Sequence, residues 1–381
     1  MSFSDRSLVP RMLGAGSYGC VYHPPPEGCS TCKDLTQGSR KPRVCSHGVV
    51  KVMDQQSADE EIHLLKRVQE IDPRGHYHWK LIKVCRAPKS MDAWPADDFG
   101  TPCSIDFGSN PKLLYFPYGG RPFADLVQGN DVFSLVHLLA MHRIFLGLRT
   151  FQRNGFVHAD IKPANMVYVR PSHSPSFSIP FYIKFIDFSL SFKASRPSLT
   201  YAVYAFWPPE AILLTNRASS STNTLKTYAK RARVAALEFA TKQTPLLLDV
   251  KVDGQMAGSR FERWIDQMKT WHGSPASMRE IVRTKFDVYG LGVTLMTLYT
   301  YGNFSSELKN NARFMHGLRG LAQRAMAFDA RVRPSADDLY GMYKELLSTS
   351  FSQDVLAERT KQLGPMSIPP SIRPLRSGIK I

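Results

Sequence analysis

One short run of residues constrains the fold of this chain more than any other feature of its sequence. Residues 158–165 read HADIKPAN, and after a strand-like stretch Asp187 begins a second run, DFS. The first run carries a carboxylate at Asp160, an ammonium at Lys162 and an amide at Asn165. Carboxylate and amide oxygens bind magnesium, and a carboxylate beside a cation suits phosphoryl transfer. The spacing therefore predicts a site for that chemistry.

The size and charge of the chain limit its class and its partners. At 381 residues it exceeds the usual size of a single core, so two lobes are expected. With 43% hydrophobic and 21% charged residues, it is predicted to be globular. Forty-nine Lys and Arg residues against 32 Asp and Glu residues give a formal net charge of +17. This charge predicts attraction to polyanions, namely nucleotides, acidic proteins or nucleic acid, without choosing among them.

Targeting and redox features predict an intracellular protein. Residues 1–12 lack the apolar core of a signal peptide, and the longest apolar run, near residues 289–301, is too short to span a bilayer. Six cysteines are too few and too unevenly spread in this chain for a disulfide framework. We therefore expect a soluble protein without a membrane span, in a reducing compartment.

The amino-terminal third predicts strands, whereas most of the remainder predicts helices. Short apolar runs predict strands over residues 49–53, 80–85 and 112–118. A helix is predicted over 58–70 and another over 131–152, which Asn154 and Gly155 would end.

The carboxy-terminal part predicts one more helix and then a tail. Ser335 and Asp338 form a predicted capping box that begins an amphipathic helix. Beyond about residue 350 the chain is polar and rich in proline, with scattered basic residues, which predicts a flexible basic tail.

A glycine-rich run, GAGSYGCV, occupies residues 14–21. Glycines let the backbone bend over phosphates that a side chain would obstruct. A dinucleotide-binding fold would need a helix after this run, but residues 24–26 are three prolines. Taken alone, the run could also be a plain glycine turn. The candidate nucleotide-binding residues are Gly14, Ala15, Gly16, Ser17, Tyr18, Gly19 and Val21.

Lys51 lies within VVKV, a pattern typical of a buried strand with one charge in it. Burial of an unpaired ammonium is costly, so an acidic partner is expected. Glu61 on the next predicted helix is the favoured candidate, because the following Ile-x-Leu-Leu pattern would turn it inward. Glu60 is the alternative, and the acid that does not pair would be solvated.

Together these runs resemble a eukaryotic-type Ser/Thr protein kinase over roughly residues 11–347. The resemblance implies an α+β, bilobal protein-kinase-like fold. A β-rich lobe would span residues 1–117, with a cysteine-containing insert at 23–47. A mainly α-helical lobe would span 118–350, and the basic tail would follow at 351–381.

The resemblance also implies ATP and Mg²⁺ as cofactors, with Mn²⁺ as a possible substitute. Lys51 would hold the α and β phosphates and pair with Glu61. Asp160 would orient the substrate hydroxyl, and Lys162 would stabilise the transferring phosphate. The magnesium ligands would be Asn165 and Asp187.

Further matches concern the adenine site and structural supports. Residues 112–120 resemble the hinge strand, where Phe116 would be the gatekeeper and Tyr118 would belong to the segment facing adenine. Supporting roles would fall to Glu210 with Arg333, and to Asp287.

The HADIKPAN and DFS runs also indicate the substrate class and the regulation. Lys162, two residues after Asp160, is typical of Ser/Thr kinases, so we expect protein substrates with Ser or Thr. Ala159 replaces an arginine that in many kinases holds an activation-loop phosphate, which predicts little dependence on such phosphorylation. Ser189 replaces the glycine after Asp187-Phe188, which reduces backbone freedom but keeps the metal-binding carboxylate.

Two insertions carry additional hypotheses. Cys29, Cys32, Cys45 and His47 could supply four ligands for Zn²⁺, although the second pair is closely spaced; otherwise they are reduced residues of a surface loop. A long insert at about 212–284 could be a docking or nucleic-acid surface, or a solvated helical elaboration.

Two broader interpretations are also consistent with the sequence. The chain could be a pseudokinase or scaffold that binds proteins or nucleic acid without efficient turnover, although it retains Lys51, Asp160, Asn165 and Asp187 together. The glycine-rich run, the cysteine-bearing insert and the WPPE run at 207–210 resemble kinases of large nucleocytoplasmic DNA viruses. That resemblance would imply host cytoplasm or virion as the location.

Overall fold

A computed structural model divides the chain into two compact units, Met1–Gly120 and Arg121–Ile381. The residues described are 10–16, 19–23, 32–34, 48–87, 94–96, 102–103, 108, 110–128, 131–168, 182–195, 199, 206–208, 210–211, 275–327, 329–361 and 363. Several predictions lie outside them and stay predictions: Ser17, Tyr18, Cys29, Cys45, His47 and the insert up to residue 274. Of Cys32 only the backbone is described.

The first unit contains a six-stranded sheet with the strand order β1-β2-β4-β6-β5-β3. Its neighbouring strands are antiparallel. The strands are β1 (Arg11–Gly16), β2 (Gly19–His23), β3 (Cys32–Asp34), β4 (Gly48–Met53), β5 (Lys83–Arg86) and β6 (Lys112–Pro117). The three predicted strands correspond to β4, β5 and β6, with ends shifted by at most three residues.

One helix, α1 (Gln55–Ile71), follows β4 in the described part of this unit. It begins after Asp54, whose carboxylate accepts a hydrogen bond of 2.9 Å from the Ser57 N–H. Its buried side chains recur at helical spacing, and they are Ala58, Glu61, Leu65 and Val68. The predicted helix over 58–70 is therefore present and starts one turn earlier.

The same unit contains a disulfide that the sequence did not predict. Cys20 on β2 is bonded to Cys103, 83 residues away, whereas Cys85 on β5 is buried and does not take part in this bond. The sequence predicted no disulfide framework, and this single bond is one that the prediction missed. Sequence spacing could not reveal it, because the two thiols meet only when residue 103 packs against the core that contains Cys20.

The second unit is mainly helical, and its strands are short. Its helices are α2 (Ala124–Val127), α3 (Leu135–Ala140), α4 (His142–Arg153), α5 (Pro275–Tyr301), α6 (Ser306–Lys309), α7 (Ala312–Ala325), α8 (Ala336–Ser350) and α9 (Gln353–Lys361). Its strands are β7 (Arg121–Pro122), β8 (Val132–Phe133), β9 (Phe156–Val157), β10 (Met166–Tyr168), β11 (Ile183–Phe185), β12 (Phe192–Lys193) and β13 (Asn303–Phe304).

The continuous helix predicted over 131–152 is interrupted. Residues 132–133 form β8, which pairs in parallel with β13, and Phe133 packs against Phe304. Ser134 then caps α3, and its N–H donates to His137 Nδ1. Tertiary pairing therefore overrides the helical spacing at the start. The predicted end is correct: Asn154 follows α4, and Gly155 has a φ of 63°.

The carboxy-terminal elements partly differ from the prediction. The capping box at Ser335 and Asp338 is present and begins α8. The flexible tail predicted from residue 351 is wrong for residues 353–361, which form α9 and pack against α3. Leu356 and Thr360 on α9 are buried, and composition alone did not show that this segment packs against the rest of the unit.

The longest helix, α5, begins at Pro275, inside the insert predicted to reach residue 284. Its central residues Phe286, Val288 and Leu291 are fully or almost fully buried, so it lies in the core of the second unit. Within the described residues, no helix is long and apolar enough to cross a membrane.

Candidate active site

The first candidate group lies on β4 and α1. Lys51 is buried on β4, and its Nζ lies 2.7 Å from Glu61 Oε2. Glu61 belongs to the buried face of α1, whereas Glu60 is exposed and accepts a hydrogen bond of 3.2 Å from Gln56. Of the two acids considered from the sequence, Glu61 is thus the partner of Lys51.

The glycine-rich run forms a β-hairpin next to this pair. β1 and β2 are antiparallel, with Gly14 opposite Val21 and Gly16 opposite Gly19. Val21 in turn lies opposite Lys51 in the register between β2 and β4. A side chain at position 19 would collide with the Val52 carbonyl oxygen, so glycine is required there. The hairpin and Lys51 are therefore neighbours in one sheet.

The residues assigned to the adenine site lie at the end of β6. Phe116 is partly buried and lies opposite Val49 of β4. Tyr118 is exposed and stacks on His23 with ring centroids 4.2 Å apart. Both side chains belong to the same unit as Lys51. Their roles toward adenine remain predictions.

The second candidate group surrounds Asp160 in the other unit. Lys162 Nζ lies 3.0 Å from Asp160 Oδ2, and Asn165 Nδ2 donates to the same oxygen at 2.5 Å. Asn165 also donates to the Asp160 backbone carbonyl at 3.0 Å. The short 3₁₀ turn over Pro163–Asn165 brings the amide back toward the aspartate. Asp160 is nearly buried, and its carboxylate is held by two neighbouring donors.

The segment before Asp160 is held by Asp287 of α5. The N–H groups of His158 and Ala159 donate to the two Asp287 carboxylate oxygens at 2.7 and 2.9 Å. Burial raises the pKa of the Asp287 carboxyl to about 7, and the two N–H groups oppose that rise. Burial also lowers the pKa of the His158 imidazole. The neutral ring accepts a hydrogen bond of 3.3 Å from the Asp160 N–H.

Asn165 and Asp187 lie at the same end of a small sheet. β10 and β11 are antiparallel, with Met166 opposite Phe185, and the Ile186 N–H donates to the Asn165 carbonyl at 3.0 Å. Asp187 is the next residue after Ile186 and has a left-handed backbone with φ of 59°. The topology thus brings the two predicted magnesium ligands to one edge.

The donor set at this edge suits magnesium. Mg²⁺ is usually bound by one or two carboxylates, and water and phosphate oxygens complete its shell. Asp187 supplies a carboxylate and Asn165 an amide oxygen. Ser189 Oγ donates to Asp187 Oδ1 at 2.8 Å, so the residue that replaces glycine contacts the carboxylate directly. Among the described residues, no group of three or more His, Cys, Asp or Glu side chains forms a metal site.

The predicted structural support between Glu210 and Arg333 is also present. Arg333 donates to both carboxylate oxygens of Glu210, at 2.5 and 3.1 Å. Its guanidinium also contacts the carbonyls of Ala327 and Lys285 and lies over the Tyr289 ring. This arrangement joins the segment before residue 210 to the chain that enters α8.

Three residues around the Asp160 segment were not recognised from the sequence as parts of the site. Ser191 Oγ donates to the His158 carbonyl at 3.0 Å, and Trp207 Nε1 donates to the Ala159 carbonyl at 2.5 Å. A Cβ at Gly290 would lie 2.8 Å from the Ile161 carbonyl oxygen, so glycine lets α5 approach this segment. The sequence contained a signal for Trp207, because a buried indole N–H usually needs a hydrogen-bond acceptor.

Comparisons with known proteins agree with part of this interpretation. No protein-family model matches the chain. Over 240 residues it is 28% identical to a protein named sporulation protein kinase mde3 from Schizosaccharomyces pombe. The match covers 60% of this chain but 36% of that relative. The similarity supports a relationship to protein kinases and suggests a kinase activity; the viral resemblance stays a prediction from the motifs.

Proposed function

We propose that this protein is an ATP- and magnesium-dependent protein kinase that phosphorylates Ser or Thr hydroxyls. The observation that carries the proposal is the Asp160 carboxylate, which is held by Lys162 and Asn165 beside the edge that carries Asp187. A buried, positioned carboxylate is the group that accepts a proton from an attacking hydroxyl. The proposal includes a two-lobed kinase fold, with a β-rich first unit and a helical second unit.

In the proposed reaction the hydroxyl oxygen of the substrate forms a bond to the γ-phosphorus of ATP. The bond between that phosphorus and the bridging oxygen of ADP breaks, and Asp160 accepts the hydroxyl proton. Lys51 binds the α and β phosphates while Glu61 fixes its ammonium. Lys162 balances charge on the transferring group. Magnesium bound by Asn165 and Asp187 would neutralise phosphate charge.

The direct test is phosphate transfer from radiolabelled ATP to a generic protein substrate with magnesium. Asp160→Asn removes the proton acceptor but keeps the size of the side chain, so we expect transfer to fall about 10²- to 10⁴-fold. Asp354→Asn, which removes an exposed carboxylate on α9, is the matched control and should keep the wild-type rate. Equal transfer by wild type and Asp160→Asn would contradict the catalytic assignment.

The same assay distinguishes the proposed details. Phosphoamino-acid analysis of the labelled substrate should give phosphoserine or phosphothreonine, and label on tyrosine would contradict the substrate class. Chelation of divalent metal should stop transfer, and added Mg²⁺ should restore it. Binding of ATP without any transfer by the wild type would instead favour the pseudokinase alternative.

A further inference from the structure

The backbone just before Asp160 adopts an unfavourable conformation. Ala159 has a φ of 61°, in the left-handed region that residues with a Cβ rarely occupy. Such conformations persist only where the surrounding structure enforces them, and they are common at functional sites. Ala159 directly precedes Asp160, so its backbone sets the direction from which the carboxylate projects.

Side chains from three separate segments enforce this conformation. Asp287 of α5 accepts from the N–H groups of His158 and Ala159. The two carbonyls of the same residues accept from Ser191 Oγ at 3.0 Å and Trp207 Nε1 at 2.5 Å. All four backbone polar groups of this dipeptide are therefore bonded to side chains. Both side-chain donors, Ser191 and Trp207, lie between Asp187 and Glu210, in the segment where the resemblance places the activation loop.

The Trp207 contact is enclosed rather than solvent-exposed. Trp207 is 6% exposed and belongs to the same buried cluster as Val157, Ala159 and Phe286. Its hydrogen bond with the Ala159 carbonyl is therefore shielded from water, which strengthens it and makes its loss costly. Ala159 also has no guanidinium with which to hold a phosphate. The indole thus links the segment between Asp187 and Glu210 to the backbone next to Asp160 without a charged group.

We propose that Trp207 and Ser191 are positioning residues that hold the Asp160 carboxylate in its productive direction without activation-loop phosphate. This inference rests on the proposed kinase function and concerns the regulation of the same site. Trp207 contributes most, because its bond reaches the residue adjacent to Asp160. Ser191 stabilises the preceding peptide and contributes less.

The test removes the indole N–H while an aromatic ring remains at position 207. Trp207→Phe and replacement of Trp207 by 3-benzothienylalanine, a sulfur isostere without an N–H, both leave the Ala159 carbonyl unpartnered. We expect kcat to fall about 10- to 100-fold, while KM for ATP changes less than about threefold. Ser191→Ala should show a smaller fall of the same kind.

A matched control separates positioning from general loss of stability. Phe314→Leu creates a cavity where α7 packs against Phe304 and Phe351. It should lower Tm by at least as much as Trp207→Phe while kcat, measured well below Tm, stays near the wild-type value. An equal fall of kcat in the control, or an unchanged kcat in both Trp207 variants, would overturn the inference.

Hydrogen exchange tests the same role of Trp207 without a measurement of phosphate transfer. Peptides covering residues 156–166 should exchange faster in Trp207→Phe than in wild type or Phe314→Leu. Unchanged exchange there would overturn the inference. If the wild-type protein transfers no phosphate, the proposed function fails, and exchange alone then decides whether Trp207 holds this segment.

Phosphatase treatment tests the claim about regulation. Protein treated until mass spectrometry finds no phosphate at Ser195, Ser198 or Thr200 should retain its transfer rate within about twofold. Ser195→Ala, Ser198→Ala and Thr200→Ala should behave alike. Loss of transfer on removal of phosphate would overturn the inference, because a phosphate rather than the indole would then position the segment.

Discussion

Two buried ion pairs, one in each unit, differ in how completely protein groups enclose the cation. In the Arg333–Glu210 pair, both side chains are 0% exposed, and Arg333 also reaches two backbone carbonyls and an aromatic ring. In the Lys51–Glu61 pair, the lysine side chain keeps 11% exposure. Part of the Lys51 side chain is therefore accessible to solvent, whereas the Arg333 side chain is not. The proposed function assigns a ligand to the partly exposed pair and a structural role to the enclosed pair.

Arg333→Met should give the largest effect on stability. It leaves the Glu210 carboxylate buried without its partner, so we expect the free energy of unfolding to fall by about 3–5 kcal/mol. Urea unfolding at pH 7.5 measures this loss. Arg331→Met is the matched control, because Arg331 pairs with Asp329 in an exposed position and should cost less than about 1 kcal/mol. Similar losses in both variants would contradict the contrast between enclosed and exposed pairs.

Lys51→Met should act mainly on phosphate transfer. Loss of the ammonium removes a charge that would face the ATP phosphates, so we expect kcat/KM to fall about 10²- to 10³-fold. Lys51→Arg sharpens the comparison, since it keeps an ion pair with Glu61 but replaces the compact ammonium with a planar fork. We expect near-normal stability and a large loss of transfer. A wild-type rate of phosphate transfer in Lys51→Met would contradict the proposed role of Lys51 in binding the ATP phosphates.

His142 gives the smallest expected effect. Unlike Lys51 and Arg333, this buried titratable side chain lies near positive charges and, within the described residues, not near a carboxylate. Burial and the nearby Arg143 and Lys344 lower the pKa of His142 to about 3, from 6.5 when unfolded. Below pH 6.5 the unfolded chain takes up a proton that the folded protein does not. The free energy of unfolding therefore decreases as the pH is lowered. Relative to His142→Gln, the wild type should lose about 2 kcal/mol between pH 7.5 and pH 5. A pH-independent difference in urea unfolding would contradict this assignment.

Local patterns were sufficient where one strand or helix determines the outcome. The VVKV run required a buried strand and hence an acidic partner for Lys51, and the pattern after Glu61 indicated the correct acid. The capping box at Ser335 and the stop at Gly155 depend on a few adjacent residues. These features could be predicted because their energetics are local.

Long-range contacts decided the features that the sequence did not reveal. The Trp207 bond to Ala159 joins positions 48 residues apart, and the Cys20–Cys103 bond joins positions 83 apart. Helix α9 and the interruption at β8 likewise depend on what packs against them. In each case the partner, and not the local pattern, determines the structure, so propensity and spacing carry no signal for it.

The Cys20–Cys103 bond also has a consequence for handling the protein. Closing a loop of this length lowers the entropy of the unfolded chain enough to contribute about 4–5 kcal/mol, which is comparable to the whole stability of a modest domain. Cys20 follows directly after the Gly19 that closes the glycine-rich hairpin. The persistence of that hairpin should therefore depend on the thiol content of the buffer, and preparations with and without reductant should be treated as two different samples.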